Sequence, residues 1–246
     1  MIVSAKKSKA WKLAAVLLAV VLALTAVCAA YLGDYYAPES RAADLAAAAQ
    51  ATRDGDLVFP SGDTDTGFIF YPGGKVDHRA YAPLMQELSD RGILCVLVEM
   101  PFRLAVLEMD AAEGIQEQYP QIEHWYIGGH SLGGSMAASY LAGHTDDFAG
   151  LVLLGAYSTE DLSQAGLSVL SVYGSEDLVM NREKYDQYLK NLPAGFQEIV
   201  IDGGCHAYFG MYGPQDGDGT PTLTNEEQIR ITADAIAAMI CKQSGE

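Results

Sequence analysis

The feature that most constrains the fold is the run Gly129–Gly133, which reads Gly-His-Ser-Leu-Gly and joins two different patterns. Before it, residues 125–127 are apolar and predict a short buried strand. After it, residues 132–142 have the small and apolar spacing of a helix. A strand that enters a helix through so few residues needs a tight turn, and glycines let the two elements approach without Cβ clashes. The run therefore predicts a strand–turn–helix unit with Ser131 at its apex.

From about residue 56 the rest of the chain also alternates short apolar runs with helical periods. This alternation predicts an α/β fold with a mostly parallel central sheet and helices on both faces. Strands are predicted at 67–71, 93–98, 125–127, 151–154, 169–173 and 198–201, and helices near Pro83, from about Leu104 to before Pro120, and after the capping box Thr224–Glu227. Because only residues 155–167 separate two of these strands, we expect no large lid over the sheet.

The N-terminus carries an apolar segment, Leu13–Leu32, that contains no charged residue. About 20 apolar residues suffice for a helix to span a bilayer. Lysines precede the segment and every acidic residue follows it, which favours an N-terminus kept inside and a domain sent outside. We therefore expect a signal anchor or transmembrane helix over 1–32, a helical spacer over 33–55 and a domain over 56–246.

Two alternatives for this segment stay open. A cleaved signal peptide would make the domain secreted, although the apolar run is longer than the 7–15 residues usual there. Its only candidate cleavage region is the loose Ala26–Ala30. Lipid attachment at Cys28 would instead hold the domain at the membrane, but Val27 is bulky where a small residue is expected.

The formal net charge of −17 restricts the partners of the chain. A strongly negative field disfavours nucleic acid and anionic surfaces. The four cysteines lack zinc-type spacing, so we expect no structural metal. We also expect no cofactor. Export would permit a disulfide between Cys205 and Cys241. Whether they pair, and the oligomeric state, stay open.

Ser131 is the candidate nucleophile, because a strand, Gly-x-Ser-x-Gly and a helix form the context that a nucleophilic serine needs. Its hydroxyl requires a base. His206 is the one histidine after residue 144 and follows the last predicted strand. Asp177, just beyond the strand 169–173, is the candidate acid that orients it, with Glu176 and Asp202 as rivals. A thiol nucleophile at Cys205 is disfavoured, since neighbouring loop residues seldom face each other.

An oxyanion hole needs two backbone N–H groups. One is expected from Leu132, the residue after the nucleophile. The other is expected from the loop Pro72–Lys75 after the first core strand, with Gly74 preferred and Lys75 next. A plain Pro-Gly turn is the alternative interpretation of this loop.

These residues resemble the α/β-hydrolase superfamily. The loop Tyr71–Lys75, the run Gly128–Gly134 and the tail Gly210–Gly219 are similar to its compact bacterial branch of membrane-attached, carboxylesterase-like hydrolases. The likeness covers roughly residues 56–242. Many members begin the oxyanion loop with His-Gly, where this chain has Pro72 and Gly73. We interpret Asp216–Gly219, which has some likeness to a calcium loop, as a plain loop.

The resemblance implies the α/β-hydrolase fold and a serine hydrolase that cleaves small ester substrates through Ser131, Asp177 and His206. A peptidase, thioesterase or amidase could use the same triad. A catalytically silent surface binding module is the alternative from another class.

Overall fold

The computed structural model describes residues 2–243 and divides after Tyr35 into two compact units. The first unit consists of one helix, α1 (Ile2–Gly33). Its stretch Trp11–Gly33 has a mean hydropathy of 2.8 and is long and apolar enough to cross a membrane. A signal sequence near an N-terminus would pass the same test, so the finding fits both of the main expectations for this segment.

The second unit is built around an eight-stranded sheet in the order β1-β2-β4-β3-β5-β6-β7-β8. All pairs from β4 to β8 are parallel, whereas β1 and β2 are antiparallel at one edge. The strands are β1 (Gln50–Ala51), β2 (Leu57–Phe59), β3 (Thr66–Tyr71), β4 (Leu94–Leu97), β5 (His124–His130), β6 (Gly150–Leu154), β7 (Ser168–Gly174) and β8 (Gln197–Ile201). The mostly parallel sheet predicted from the sequence is therefore confirmed.

Helices cover both faces of this sheet, as the alternating pattern predicts. They are α2 (Ser40–Ala48), α3 (Ala82–Ser89), α4 (Leu132–Leu141), α5 (Arg182–Tyr188) and α6 (Asn225–Gln243). One core cluster contains the buried faces of α2, α3 and α6, and a second contains that of α4. Thr224 and Glu227 form the predicted capping box at the start of α6, where the Glu227 carboxylate accepts from the Thr224 N–H at 2.7 Å.

The expected spacer over 33–55 contains α2 together with β1 and the chain leading to β2. Ala42 and Ala46 of α2 are buried in the core. Arg41 also forms an ion pair with Glu226 of α6 at 3.2 Å. This helix therefore packs within the second unit.

The helix predicted from about Leu104 to before Pro120 is wrong. This region forms only short 3-10 turns, at Pro101–Arg103, Ala105–Leu107 and Gln116–Gln118. The hydroxyl of Tyr71 accepts a hydrogen bond from Ala112 N and donates one to the carbonyl of Met109, which draws the chain into a turn there. These tertiary contacts override the local helical spacing.

The register of the parallel strands brings the functional candidates to one edge. Tyr71 at the end of β3 is paired with Gly129 of β5, and His130 is paired with Leu154 at the end of β6. Because carboxyl ends of parallel strands share an edge, the loops that follow them converge there. The segment 155–167 forms only bends and turns, so the expectation of no helical lid at this point is confirmed.

Candidate active site

Ser131 occupies a strained turn between β5 and α4. Its backbone has φ 51° and ψ −121°, a conformation that side-chain-bearing residues rarely adopt. The Ser131 N–H donates to the carbonyl of Leu154 at 2.9 Å, which fixes the turn against β6. A Cβ at Gly133 would collide with the carbonyl oxygens of Tyr71 and Pro72, so only glycine permits this approach. Ser131 remains half-exposed at the head of the helix.

His206 and Asp177 form a buried pair. The Nδ1 atom of His206 lies 2.8 Å from Oδ2 of Asp177, and the two residues are only 1% and 4% exposed. The other carboxylate oxygen, Oδ1, accepts from the backbone N–H groups of Val179 at 3.0 Å and Met180 at 2.8 Å. These bonds hold the carboxylate in one orientation, which in turn orients the imidazole.

The rival acids do not occupy this position. Glu176 accepts a hydrogen bond from the hydroxyl of Ser175 at 3.1 Å. Asp202 is exposed. Among these carboxylates, Asp177 is therefore the one paired with His206.

Contacts made by neighbouring residues show that Ser131 and His206 lie at the same edge of the sheet. His130, next to Ser131 in the chain, lies with its ring centroid 4.4 Å from that of His206. Gly155 follows Leu154, the partner of the Ser131 N–H, and a Cβ built on it would lie 2.9 Å from Nδ1 of His206. The Nε2 atom of His206 is buried and has no hydrogen-bond partner among the described residues. That atom is the one that could accept a proton from a serine hydroxyl.

The loop after β3 supplies one unused N–H group. Gly73 N–H donates to the hydroxyl of Tyr81 at 3.1 Å, and Lys75 N–H donates to the carbonyl of Arg103 at 2.8 Å. Gly74 lies between them, and no described hydrogen bond uses its N–H. A Cβ on Gly74 would lie 3.0 Å from the side chain of Leu132, so the loop covers the start of α4. This arrangement favours Gly74 over Lys75 as a donor to an oxyanion.

His130 connects this loop to the pair formed by His206 and Asp177. Its Nδ1 atom lies 2.8 Å from the hydroxyl oxygen of Tyr81, which also receives the N–H of Gly73. Burial, and secondly the positive charge of a protonated His206, lower the pKa of His130 well below its usual value. His130 is therefore neutral at physiological pH and adds no charge beside His206.

The surroundings of the neighbouring thiol, Cys205, disfavour it as a nucleophile. Burial, and secondly the charge of Asp218, raise the pKa of Cys205 to about 12. Since the thiolate is the reactive form, this thiol is inert near neutral pH. All four cysteines are free, including Cys205 and Cys241. Within residues 2–243, no group of three or more His, Cys, Asp and Glu side chains could hold a metal ion.

Sequence reasoning missed Gly155 and Tyr81. Gly155 has φ 52° and lies against both His206 and Asp177, and Tyr81 binds the oxyanion loop and His130. Neither belongs to a motif. The position of Gly155 immediately after a predicted strand, at the crowded edge of the sheet, is the only signal that could have drawn attention to it.

Known proteins show the same architecture. Est1E from Butyrivibrio proteoclasticus, of which a second structure has ferulic acid bound, has 14% identity and a TM-score of 0.57, covering 76% of this chain and 94% of that chain. A soluble variant of monoglyceride lipase from Saccharomyces cerevisiae has 12% identity and a TM-score of 0.57, covering 76% and 91%. An esterase from Thermogutta terrifontis has 13% identity and a TM-score of 0.55, covering 79% and 96%. At these identities the likeness establishes the fold.

The sequence comparison is more specific. No curated protein sequence matches the chain. The sequence profile described as the alpha/beta hydrolase family matches residues 67–230, which is most of the second unit. That span contains Ser131, Asp177 and His206, the residues whose geometry is described above. The chain therefore belongs to the alpha/beta hydrolase family.

Proposed function

We propose that the protein is a serine hydrolase that cleaves carboxylic esters through an acyl-enzyme intermediate. One observation carries the proposal: a buried His206–Asp177 pair with a free Nε2 atom stands at the same sheet edge as the strained, half-exposed Ser131. A serine hydroxyl becomes an effective nucleophile only beside such a base. The esterase and lipase structures that share the fold support the same class of reaction.

The first half of the reaction follows from these positions. The Ser131 hydroxyl oxygen bonds to the ester carbonyl carbon while its proton passes to Nε2 of His206. The N–H groups of Leu132 and Gly74 stabilise the resulting oxyanion, a contribution of about 2.7–4 kcal/mol for one donor in known cases. His206 then gives its proton to the departing alcohol as the carbon–oxygen bond breaks.

The second half returns the enzyme to its starting state. His206 takes a proton from water as the water oxygen bonds to the acyl carbon. The bond to Ser131 then breaks, and the serine oxygen receives the proton from His206. Asp177 stabilises the positive charge on His206 in both halves.

The substrate that fits this site is a small or flexible ester. Residues 155–167 contribute no helical cap, and Ser131 is half-buried, so no helix from this segment covers a long acyl chain. In a series of p-nitrophenyl esters, activity should therefore fall as the acyl chain lengthens. A clear optimum at long chains would contradict this preference.

The proposal extends to location: the catalytic domain would lie outside the cytoplasm. The stretch Trp11–Gly33 would act as an uncleaved anchor, with the preceding lysines kept inside. Mass spectrometry of the mature protein tests this assignment, and an N-terminus at residues 29–31 would show cleavage and secretion instead.

The test of the catalytic proposal compares Ser131→Ala with Ser139→Ala in the full chain. Ser139 lies on α4, which follows Ser131, and its hydroxyl donates to the carbonyl of Ser135 on the same helix. We expect Ser131→Ala to abolish ester hydrolysis and Ser139→Ala to retain it. Full activity in Ser131→Ala would overturn the proposal, and parallel thioester, amide and peptide substrates identify the preferred bond.

A further inference from the structure

The loop that follows His206 returns to the active site through Asp218. Asp218 N–H donates to the carbonyl of Gln215 at 3.2 Å, and Gly217 between them has φ 83°. This turn directs the half-buried Asp218 side chain back towards the start of its own loop. The carboxylate lies near Cys205, whose pKa it helps to raise. The Asp-Gly-Asp-Gly run is therefore more than a connection between β8 and α6.

The carboxylate of Asp218 accepts hydrogen bonds from the loop that carries His206 and from the loop that carries Asp177. Its Oδ2 atom accepts from Ala207 N–H at 2.8 Å, and its Oδ1 atom accepts from His206 N–H at 3.2 Å. Oδ1 also accepts from Leu178 N–H, next to Asp177, at 3.4 Å. Bonds from N–H groups to an ionised carboxylate are stronger than those between neutral groups.

The surrounding backbone makes the same junction. Gly219 approaches so closely that a Cβ there would collide with the carbonyl oxygen of Glu176. Glu176 N–H in turn donates to the carbonyl of Gly204 at 2.8 Å. The acid loop, the histidine loop and the Asp218 turn thus meet at one point, with the carboxylate at the centre.

We propose that Asp218 is a positioning residue that joins the loop of His206 to the loop of Asp177. The inference rests on the proposed serine hydrolase function. Asp177 fixes the imidazole ring, whereas Asp218 fixes the backbone that carries it. With both in place, Nε2 of His206 is held where the Ser131 proton must go.

Asparagine at position 218 would preserve the shape of the side chain and break this arrangement. Its Oδ1 atom can accept, but its NH₂ group must face an N–H donor on one of the two loops. Because two facing N–H donors repel each other, the loop that carries this donor would move away from residue 218. A misplacement of about 1 Å in a catalytic group can cost about 10²-fold in rate.

The experiment uses the full chain in detergent and compares Asp218→Asn with Asp216→Asn. Asp216 is exposed on the same loop, so its substitution removes the same charge two positions away. We expect Asp218→Asn to lower kcat for p-nitrophenyl acetate, and the rate of fluorophosphonate labelling per folded molecule, by about 10²-fold. KM should stay unchanged, and Asp216→Asn should match the wild type.

Rescue separates positioning from a merely structural role. Asp218→Glu keeps the charge and both acceptor oxygens, so its kcat should lie between those of Asp218→Asn and the wild type. If the Asn variant does not fold, the comparison is made between Asp218→Glu and Asp216→Glu. The former should then show the lower kcat at equal KM. Labelling of Asp218→Asn at the wild-type rate per folded molecule would overturn the inference while leaving the hydrolase proposal standing. A wild-type protein that does not react with the probe would overturn both.

Discussion

The serine side and the histidine side of the active site are built in different ways. Ser131 stands on a turn made by consecutive backbone between β5 and α4, shaped by glycines at 129 and 133. His206 is held by carboxylates from elsewhere in the chain, Asp177 at its ring and Asp218 at its backbone. The turn that carries the nucleophile is thus formed by residues adjacent to it and packs against β3 and β6, whereas the base depends on side-chain contacts between separate loops.

Because the base depends on contacts between loops, a single conservative substitution on the histidine side should lower the activity. The largest effect is expected for Asp177→Asn, which removes the charge opposite the imidazole but keeps the shape of the side chain. Loss of the corresponding charge in a serine protease lowers kcat by about 10⁴-fold, and we expect a loss of that order here. Steady-state hydrolysis of p-nitrophenyl acetate measures it.

Asp202→Asn is the matched control for that variant, because Asp202 is an exposed carboxylate just after β8. It should retain wild-type kcat. Equal losses in the two variants would mean that Asp177 has no special role beside His206.

An intermediate effect is expected for Gly155→Ala, where the two sides of the site meet. The new methyl group would lie 2.9 Å from Nδ1 of His206 and 3.1 Å from Oδ2 of Asp177, at a φ of 52° that disfavours alanine. We expect kcat to fall by about 10²-fold as the ring is displaced. Gly166→Ala has open space around its Cβ and should leave kcat unchanged. Wild-type activity in Gly155→Ala would show that the pair tolerates displacement.

The smallest effect concerns His130 and the dependence of stability on pH. Burial lowers the pKa of His130 in the folded state, whereas in the unfolded chain this histidine has the ordinary pKa of about 6.5. Below about pH 6.5 the unfolded chain therefore binds more protons than the folded protein. The free energy of unfolding should therefore decrease as the pH falls from 7 to 5. Replacing His130 with Gln should reduce this slope by up to about 1.4 kcal/mol per pH unit.

Denaturant unfolding of the full chain in detergent at several pH values measures the slope. His124→Gln, at an exposed histidine on the same strand, serves as the control and should keep the wild-type slope. An unchanged slope in His130→Gln would show that His130 is not a buried neutral group.

Sequence reasoning succeeded where the structure is determined by neighbouring residues. The turn at Ser131 depends on glycines within two positions of it. The central parallel strands β4 and β6 contain no polar side chain, as strands buried on both faces should. The proximity of His206 and Asp177 could be expected because each follows a predicted strand at the edge where such ends converge.

Sequence reasoning failed where residues distant in the chain determine the local structure. The helix predicted from Leu104 was replaced by turns because Tyr71, far away in the sequence, binds that segment through its hydroxyl. Asp218 was interpreted as part of a plain loop, since its partners at His206 and Leu178 are neighbours only after folding. Local patterns carry no information about such hydrogen bonds.

The central claim is that Ser131 carries the acyl group. Rapid acid quenching of the full chain during turnover of p-nitrophenyl acetate, followed by digestion and mass spectrometry, would locate that group directly. The account predicts an acetylated peptide containing Ser131 that accumulates in the wild type and is lost in Ser131→Ala. An acetyl group on Cys205 or another residue during productive turnover would contradict it.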